Sequence, residues 1–190
     1  MSFSDTRPEA AMLQQALTAL SQGQVVAYPT ETVWGLGCDP DHDRALEQVL
    51  VLKSRPADKG LILVADSVER CAPWLEGLDP ALKARFAAPT EVPTTWLVPD
   101  NGRAHPLVRG RFDSVALRLS AHPVVVALVQ AMGRPLVSTS ANRAGESPCR
   151  SLAEIRTVFG EQLVAFDGAT GNHDRPSRIR DLVTGATLRD

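Results

Sequence analysis

The amino-acid sequence predicts an α/β layer fold, and three observations carry that prediction. Segments with helical apolar spacing alternate with short apolar runs of strand length along most of the chain. At 190 residues the chain fits one domain and can bury roughly two thirds of its unfolded surface. It shows no internal repeat, low-complexity tract or linker, and no apolar run nears the roughly 20 residues that a bilayer demands.

The elements follow in order. Glu9 to Leu20 sets Leu13, Leu17 and Leu20 on one helical face, with Gly23 just past its end. Val25 to Tyr28 is a short buried strand that runs into a polar, glycine-bearing loop from Pro29 to Gly37. Asp41 to Leu52 is a second helix with Ala45, Leu46, Val49 and Leu50 inward. Leu61 to Val64 is a strand, and helices follow at Ser67 to Leu75 and Pro80 to Phe86. Thr95 to Val98 and Ser114 to Leu119 are strands; in the second, Val115, Leu117 and Leu119 alternate with Ala116 and Arg118. Between them, residues 99–113 lack periodicity and hold Arg103, His105, Arg109 and Arg111, and a loop of that length is often functional or mobile. Pro123 to Met132 is a helix with proline in its first turn. Leu136-Val137 is a strand opening into Ser138-Thr139-Ser140-Ala141-Asn142. Ser151 to Glu154 is a capping box that starts a helix to Phe159. Leu163 to Phe166 is a strand, and Ile179 to Val183 is the last.

Composition narrows the compartment. The three cysteines, Cys38, Cys71 and Cys149, are odd in number and lack C-x-x-C spacing. That argues against zinc and against a disulfide framework, and for reduced thiols in the cytoplasm. Met1 to Arg7 lacks the basic start and apolar core of a signal peptide. The net charge of −2 divides into −6 over residues 1–100 and +4 over residues 101–190. Arginine outnumbers lysine 17 to 3, which suits forked recognition of phosphate and carboxylate and equally suits a solvated surface.

Four constellations carry candidate chemistry. Tyr28 to Gly37 places hydroxyls, one carboxylate and glycines after a strand, a small-ligand site or an ordinary turn. Lys53-Ser54-Arg55-Pro56, with Lys59 beyond, offers cations at a helix end that either clamp a polyphosphate or neutralise the helix dipole. Ser138 to Asn142, with Gly145, Arg143 and Arg150 near, is a ligand crevice or a turn, and the arginines tilt it toward an anion. Arg175-Pro176-Ser177-Arg178-Ile179-Arg180-Asp181 mixes hydroxyl and guanidinium groups, again an anion site or a solvated edge. No Walker loop, G-x-G-x-x-G or nucleophile elbow is present. The four histidines show no metal spacing, and His122 before Pro123 reads as a helix-entry residue.

Taken in this order, the segments resemble the YrdC-like domain family of threonylcarbamoyl-AMP synthases, from about Arg7 to Asp190 as a single domain. Tyr28 to Leu36 is similar to the family's first signature, Lys53-Ser54-Arg55 to its K-x-R motif and Ser140-Ala141-Asn142 to its S-x-N motif. Gly60 to Leu63, Ala116-Leu117-Arg118 and Pro176-Ser177 fit as well. Two departures stand out: Thr90-Glu91-Val92-Pro93 replaces a usual Trp-Pro-Gly-Pro turn, and Val64 stands where some relatives carry histidine.

The resemblance implies a twisted mixed sheet flanked by helices, with a basic concave cleft. It implies a nucleotidyltransferase that converts L-threonine, bicarbonate and ATP to L-threonylcarbamoyl-AMP and diphosphate, with Mg²⁺ on the phosphates. A threonylcarbamoyl transferase complex would then modify adenosine 37 of tRNA, in the cytoplasm and without a membrane. In that picture Lys53 and Arg55 are catalytic. Lys53, Arg55, Lys59, Ser140, Asn142 and Arg150 bind ATP, while Thr32, Arg118 and Ser177 hold threonine or its carbamate. No metal ligand is assigned. The rival reading is a ribosome-maturation factor whose arginines grip double-stranded RNA or tRNA. Aromatic content of 5% and the lack of an aromatic RNA-reading strand weigh against it.

Overall fold

A computed structural model describes residues 8–171 and 176–190. Arg7, the expected domain start, and Arg175 of the fourth constellation lie outside the described residues.

The chain runs α1 (Ala10–Ser21), β1 (Val26–Pro29), β2 (Trp34–Cys38) and α2 (Asp43–Lys53), then a 3-10 turn (Ala57–Lys59). Next come β3 (Ile62–Ala65), α3 (Val68–Leu75), α4 (Pro80–Ala87), β4 (Thr94–Pro99), α5 (Pro106–Arg109) and β5 (Ser114–Leu119). It ends with α6 (Pro123–Met132), β6 (Leu136–Ser140), α7 (Leu152–Phe159), β7 (Val164–Ala165), β8 (Arg178–Asp181) and β9 (Thr187–Arg189). The described strands form one mixed sheet in the order β7-β1-β2-β6-β3-β5-β4-β8-β9. The pairs β1/β7, β3/β5 and β4/β8 are parallel and the others antiparallel. None of the described helices is long and apolar enough to cross a membrane.

Strand alternation splits the apolar residues between two faces. Val25, Ala27, Leu63, Leu117 and Val137 face one core, shared with buried residues of α2, α3, α4 and α7 such as Leu46, Trp74, Phe86 and Ile155. Val26, Tyr28, Val64 and Leu136 face a second, smaller core closed by Ala16 and Leu20 of α1 and Val125 and Leu128 of α6. α1 and α6 cover only part of this face, and the site lies on the remainder.

Four expectations are corrected. The polar loop from Pro29 to Gly37 contains β2, whose five residues are all buried. Its glycines hid the strand, yet the sheet demands Gly37: a Cβ there would sit 2.7 Å from the Tyr28 ring and 2.6 Å from the Val137 carbonyl. The strand at Leu136-Val137 continues through Ser138, Thr139 and Ser140, because β2 pairs with it along that length and β3 pairs with Leu136 to Ser138. Pairing in mid-sheet overrides the turn preference of serine and threonine.

The 99–113 stretch contains α5, capped by His105, whose Nδ1 accepts from Leu107 N at 3.1 Å. Arg103 makes a two-pronged contact with Asp41 at 2.9 Å, and His105 meets Asp43 at 3.0 Å, so this loop is tied to α2 and the turn before it. Finally, the strand near Ile179 is not the last, since β9 adds an exposed edge.

Candidate active site

The uncovered part of the second face is a cavity of about 440 Å³. Its floor follows from side-chain alternation. Ser114, Ala116 and Arg118 of β5 line it while Val115 and Leu117 are buried on the other face. In β6, Leu136 is packed under α6, and Ser138 and Ser140, two and four residues on, line the cavity. Small side chains at Gly35, Ala116 and Ser138 leave room. Ile62, Val64, Leu97 and Ile179 make its apolar walls. The charged residues lining it, among those described, are Arg55, Lys59, Arg109, Arg118 and Arg189, all cationic.

Arg118 anchors the floor. Its Nη2 donates to Glu31 Oε2 at 2.7 Å, with both side chains 8% exposed. Glu31 Oε1 also accepts from Ser120 Oγ at 2.5 Å and from the backbone N–H groups of Ala121 and His122 at 3.2 and 3.3 Å. Those amides open α6, so the carboxylate also meets a helix N-terminus. Burial pushes the Glu31 carboxyl up, but Arg118 and Ser120 outweigh it and hold it below the usual range. Arg118 Nε is buried and has no hydrogen-bond partner among the described residues. A buried guanidinium lining a cavity is chemically suited to a carboxylate.

The other expected residues divide into two groups. Thr32, Arg55, Lys59, Ser140 and Ser177 line the cavity together with Arg118. Ser177 Oγ lies 2.9 Å from Thr95 Oγ1, and its carbonyl accepts from Arg189 Nη2 at 2.6 Å. Arg55 donates from Nε to Gly60 O at 3.0 Å and from Nη2 to Lys59 O at 3.1 Å, which fixes the turn that carries Lys59. Lys53, Asn142 and Arg150 are absent from the lining. Lys53 is buried, and its Nζ donates to Ser140 O, to Asn142 O at 3.0 Å and to Asn142 Oδ1 at 3.2 Å. Burial, with Arg55 alongside, pulls the Lys53 amine down to about 8. Arg150 is exposed, and its backbone N–H donates to Glu154 at 2.7 Å at the start of α7. Val64, the position where some relatives carry histidine, lines the cavity as an apolar wall.

Sequence reasoning passed over Glu31, Arg109 and Arg189 as site residues. Glu31 was visible only as the lone carboxylate of a hydroxyl-rich segment. Arg189 sits on the short edge strand that no periodicity announced.

Residues 18–190 match the Sua5–YciO–YrdC family model, described as telomere recombination. A threonylcarbamoyl-AMP synthase of Chromohalobacter salexigens is 55% identical over 177 residues, covering 93% of this chain and 96% of that protein. The crystal structure of P. abyssi Sua5 complexed with L-threonine superposes with a TM-score of 0.77 at 28% identity, over 89% of this chain and 50% of that one. Escherichia coli YciO shares the fold, with a TM-score of 0.80 at 20% identity over 96% of this chain and 90% of that one.

Proposed function

The chain belongs to the Sua5–YciO–YrdC family, and from that premise we infer that it makes L-threonylcarbamoyl-AMP. It is an enzyme that uses ATP, L-threonine and bicarbonate and releases diphosphate. The observation that carries this reading is near-full-length likeness to a curated synthase at 55% identity. The cavity supports it.

The chemistry asks for positioning and charge more than for a base. Threonine's neutral amine captures CO2 and loses a proton, giving a carbamate. A carbamate oxygen attacks the α-phosphorus of ATP, the bond to the β-phosphate oxygen breaks, and diphosphate leaves. Negative charge builds on phosphate oxygens, so fixed cations lower the barrier. In our reading Arg118, Thr32 and Ser177 receive the threonine carboxylate or the carbamate. Val64, Ile62 and Ala116 offer an apolar wall for the threonine methyl. Arg55 and Lys59 meet the phosphates, with Ser140 beside them, and Arg109 and Arg189 extend the cationic rim. Asn142 follows Ser140 in the chain, and Arg150 is exposed at the surface a few residues on. The cavity lining holds no carboxylate among the described residues, so Mg²⁺ would ride on the phosphates and its waters.

We place the whole chain in one YrdC-like domain working in the cytoplasm, with a transferase complex carrying the product to adenosine 37 of tRNA. Direct grip on double-stranded RNA is the weaker reading, because the cations converge on a small-molecule cavity.

The test is diphosphate release by the purified chain with each substrate omitted in turn. Activity should need no RNA, should collapse in degassed bicarbonate-free buffer, and should fall with serine because one methyl contact is worth about 1–3 kcal/mol. Full activity without bicarbonate would mean that threonine's own carboxylate is adenylated, and the reaction assigned here would be wrong.

A further inference from the structure

Helix α2 ends at Lys53, and Ser54 turns the chain left-handed with φ 50°. Ser54 N donates to Val51 O and Arg55 N to Leu50 O, so the turn is closed by the helix's own carbonyls. It sends two cations to different places. Arg55 reaches the cavity, whereas the Lys53 side chain runs inward, 4% exposed, behind the loop that follows β6. There its ammonium has three hydrogens and meets three oxygens: Ser140 O, Asn142 O and Asn142 Oδ1. The number of acceptors matches the number of hydrogens. The Lys53 carbonyl accepts from Ala144 N at 2.8 Å, a second tie to the same loop.

The loop is wired around this cation. Ser140 Oγ donates to Asn142 Oδ1 at 2.6 Å. Asn142 Nδ2 donates to Arg143 O and to Glu146 O, each at 2.9 Å. Asn142 therefore spends its amide inside the loop, and its oxygen receives both Lys53 and Ser140. Two carbonyls and an amide oxygen converging on one point repel each other unless a cation sits between them.

We propose that Lys53 is a positioning residue: its buried ammonium holds the Ser140–Ala144 loop in shape beside the nucleotide, and it makes no direct contact with phosphate. Asn142 is the other half of the same device. This assignment rests on reading the cavity as the ATP site, and it moves Lys53 out of the phosphate clamp, leaving Arg55 and Lys59 there. Burial lowers the Lys53 amine only to about 8, so the cation persists at neutral pH.

The chain holds three lysines, Lys53, Lys59 and Lys83, so a lysine side-chain NMR spectrum of the free wild-type protein is directly assignable with Lys53→Met as reference. At neutral pH Lys53 should show a hydrogen-bonded, slowly exchanging ammonium. Adding diphosphate should shift Lys59 and leave Lys53 in place. In Lys53→Met, amide exchange should quicken across residues 140–146 and stay slow in β3 and β5. Lys53→Met and Asn142→Ala should each lower kcat/KM by about 100-fold, and the double variant should fall little further, whereas Lys53→Met combined with Lys59→Met should multiply. A Lys53 signal that moves with diphosphate, or a multiplicative Lys53–Asn142 pair with unchanged loop exchange, overturns the proposal. If Lys53→Met does not fold, the wild-type spectrum still decides. If the wild-type protein releases no diphosphate, the functional reading fails, while the spectrum and exchange still report on Lys53.

Discussion

One face of the sheet is built in two ways. Where α1 and α6 cover it, the strands present Val26, Tyr28 and Leu136, packed against helix residues such as Leu128. Beyond those two helices, the same strands or their neighbours present Gly35, Ala116, Ser138 and Ser140 to the cavity, which Arg55, Lys59, Arg109, Arg118 and Arg189 also line. Strand β6 shows the change within one side-chain row, from Leu136 to Ser138 to Ser140. The strand backbone is continuous, so the two halves differ in the side chains they present and in whether α1 and α6 lie over them. A large apolar row buys stability, and a small polar row leaves room for a substrate.

Arg118→Leu should break the comparison most, because it touches both stability and function. It leaves the Glu31 carboxylate buried without its cation, a loss of about 3–5 kcal/mol in chemical denaturation. Diphosphate release should vanish with it. The pH dependence carries a sign. Glu31 is held below its ordinary value in the folded protein, so its stabilisation is complete above the unfolded carboxylate range and is lost as pH falls through the lower folded value. Wild-type and variant stabilities should therefore converge in acid. A gap that stays constant from neutral to acid pH would show that the pair adds nothing to folding.

Leu136→Ala, in the covered half, should cost about 2–5 kcal/mol through the cavity it leaves, with turnover per folded molecule unchanged. Thermal melts beside active-site-normalised rates would show it, and a matching loss of turnover would mean the two halves are not separable.

Ala116→Leu should do the reverse. Its added bulk enters the cavity rather than the core, so stability should stay within about 1 kcal/mol. The rate should drop at least about 10-fold from lost space for substrate. Full turnover would place the chemistry elsewhere.

Much of this division was legible beforehand. The alternation of Val115, Leu117 and Leu119 with Ala116 and Arg118 gave the two faces of β5, and Arg118 was already singled out. So were Arg55, Lys59, Thr32, Ser140 and Ser177, each of which lines the cavity. Less was visible where local preference opposed the fold. Glycines disguised β2, and hydroxyls disguised the second half of β6, because these two strands pair with each other from distant parts of the sequence. Glu31 was equally silent, since nothing local says that a carboxylate will face an arginine 87 positions later.

The sequence by itself determined the alternation of helices and strands, the apolar side of each, and which residues carry hydroxyl or cationic groups. These depend on period and composition, which are local. The tertiary structure decided where α1 and α6 lie over the sheet, and so which strand rows they cover. It also decided the fates of two cations separated by one residue. Lys53 and Arg55 look alike in the chain, but a left-handed turn at Ser54 sends one to the cavity and the other into a cage of oxygens, and that placement exists only once the β6 loop has packed against the end of α2.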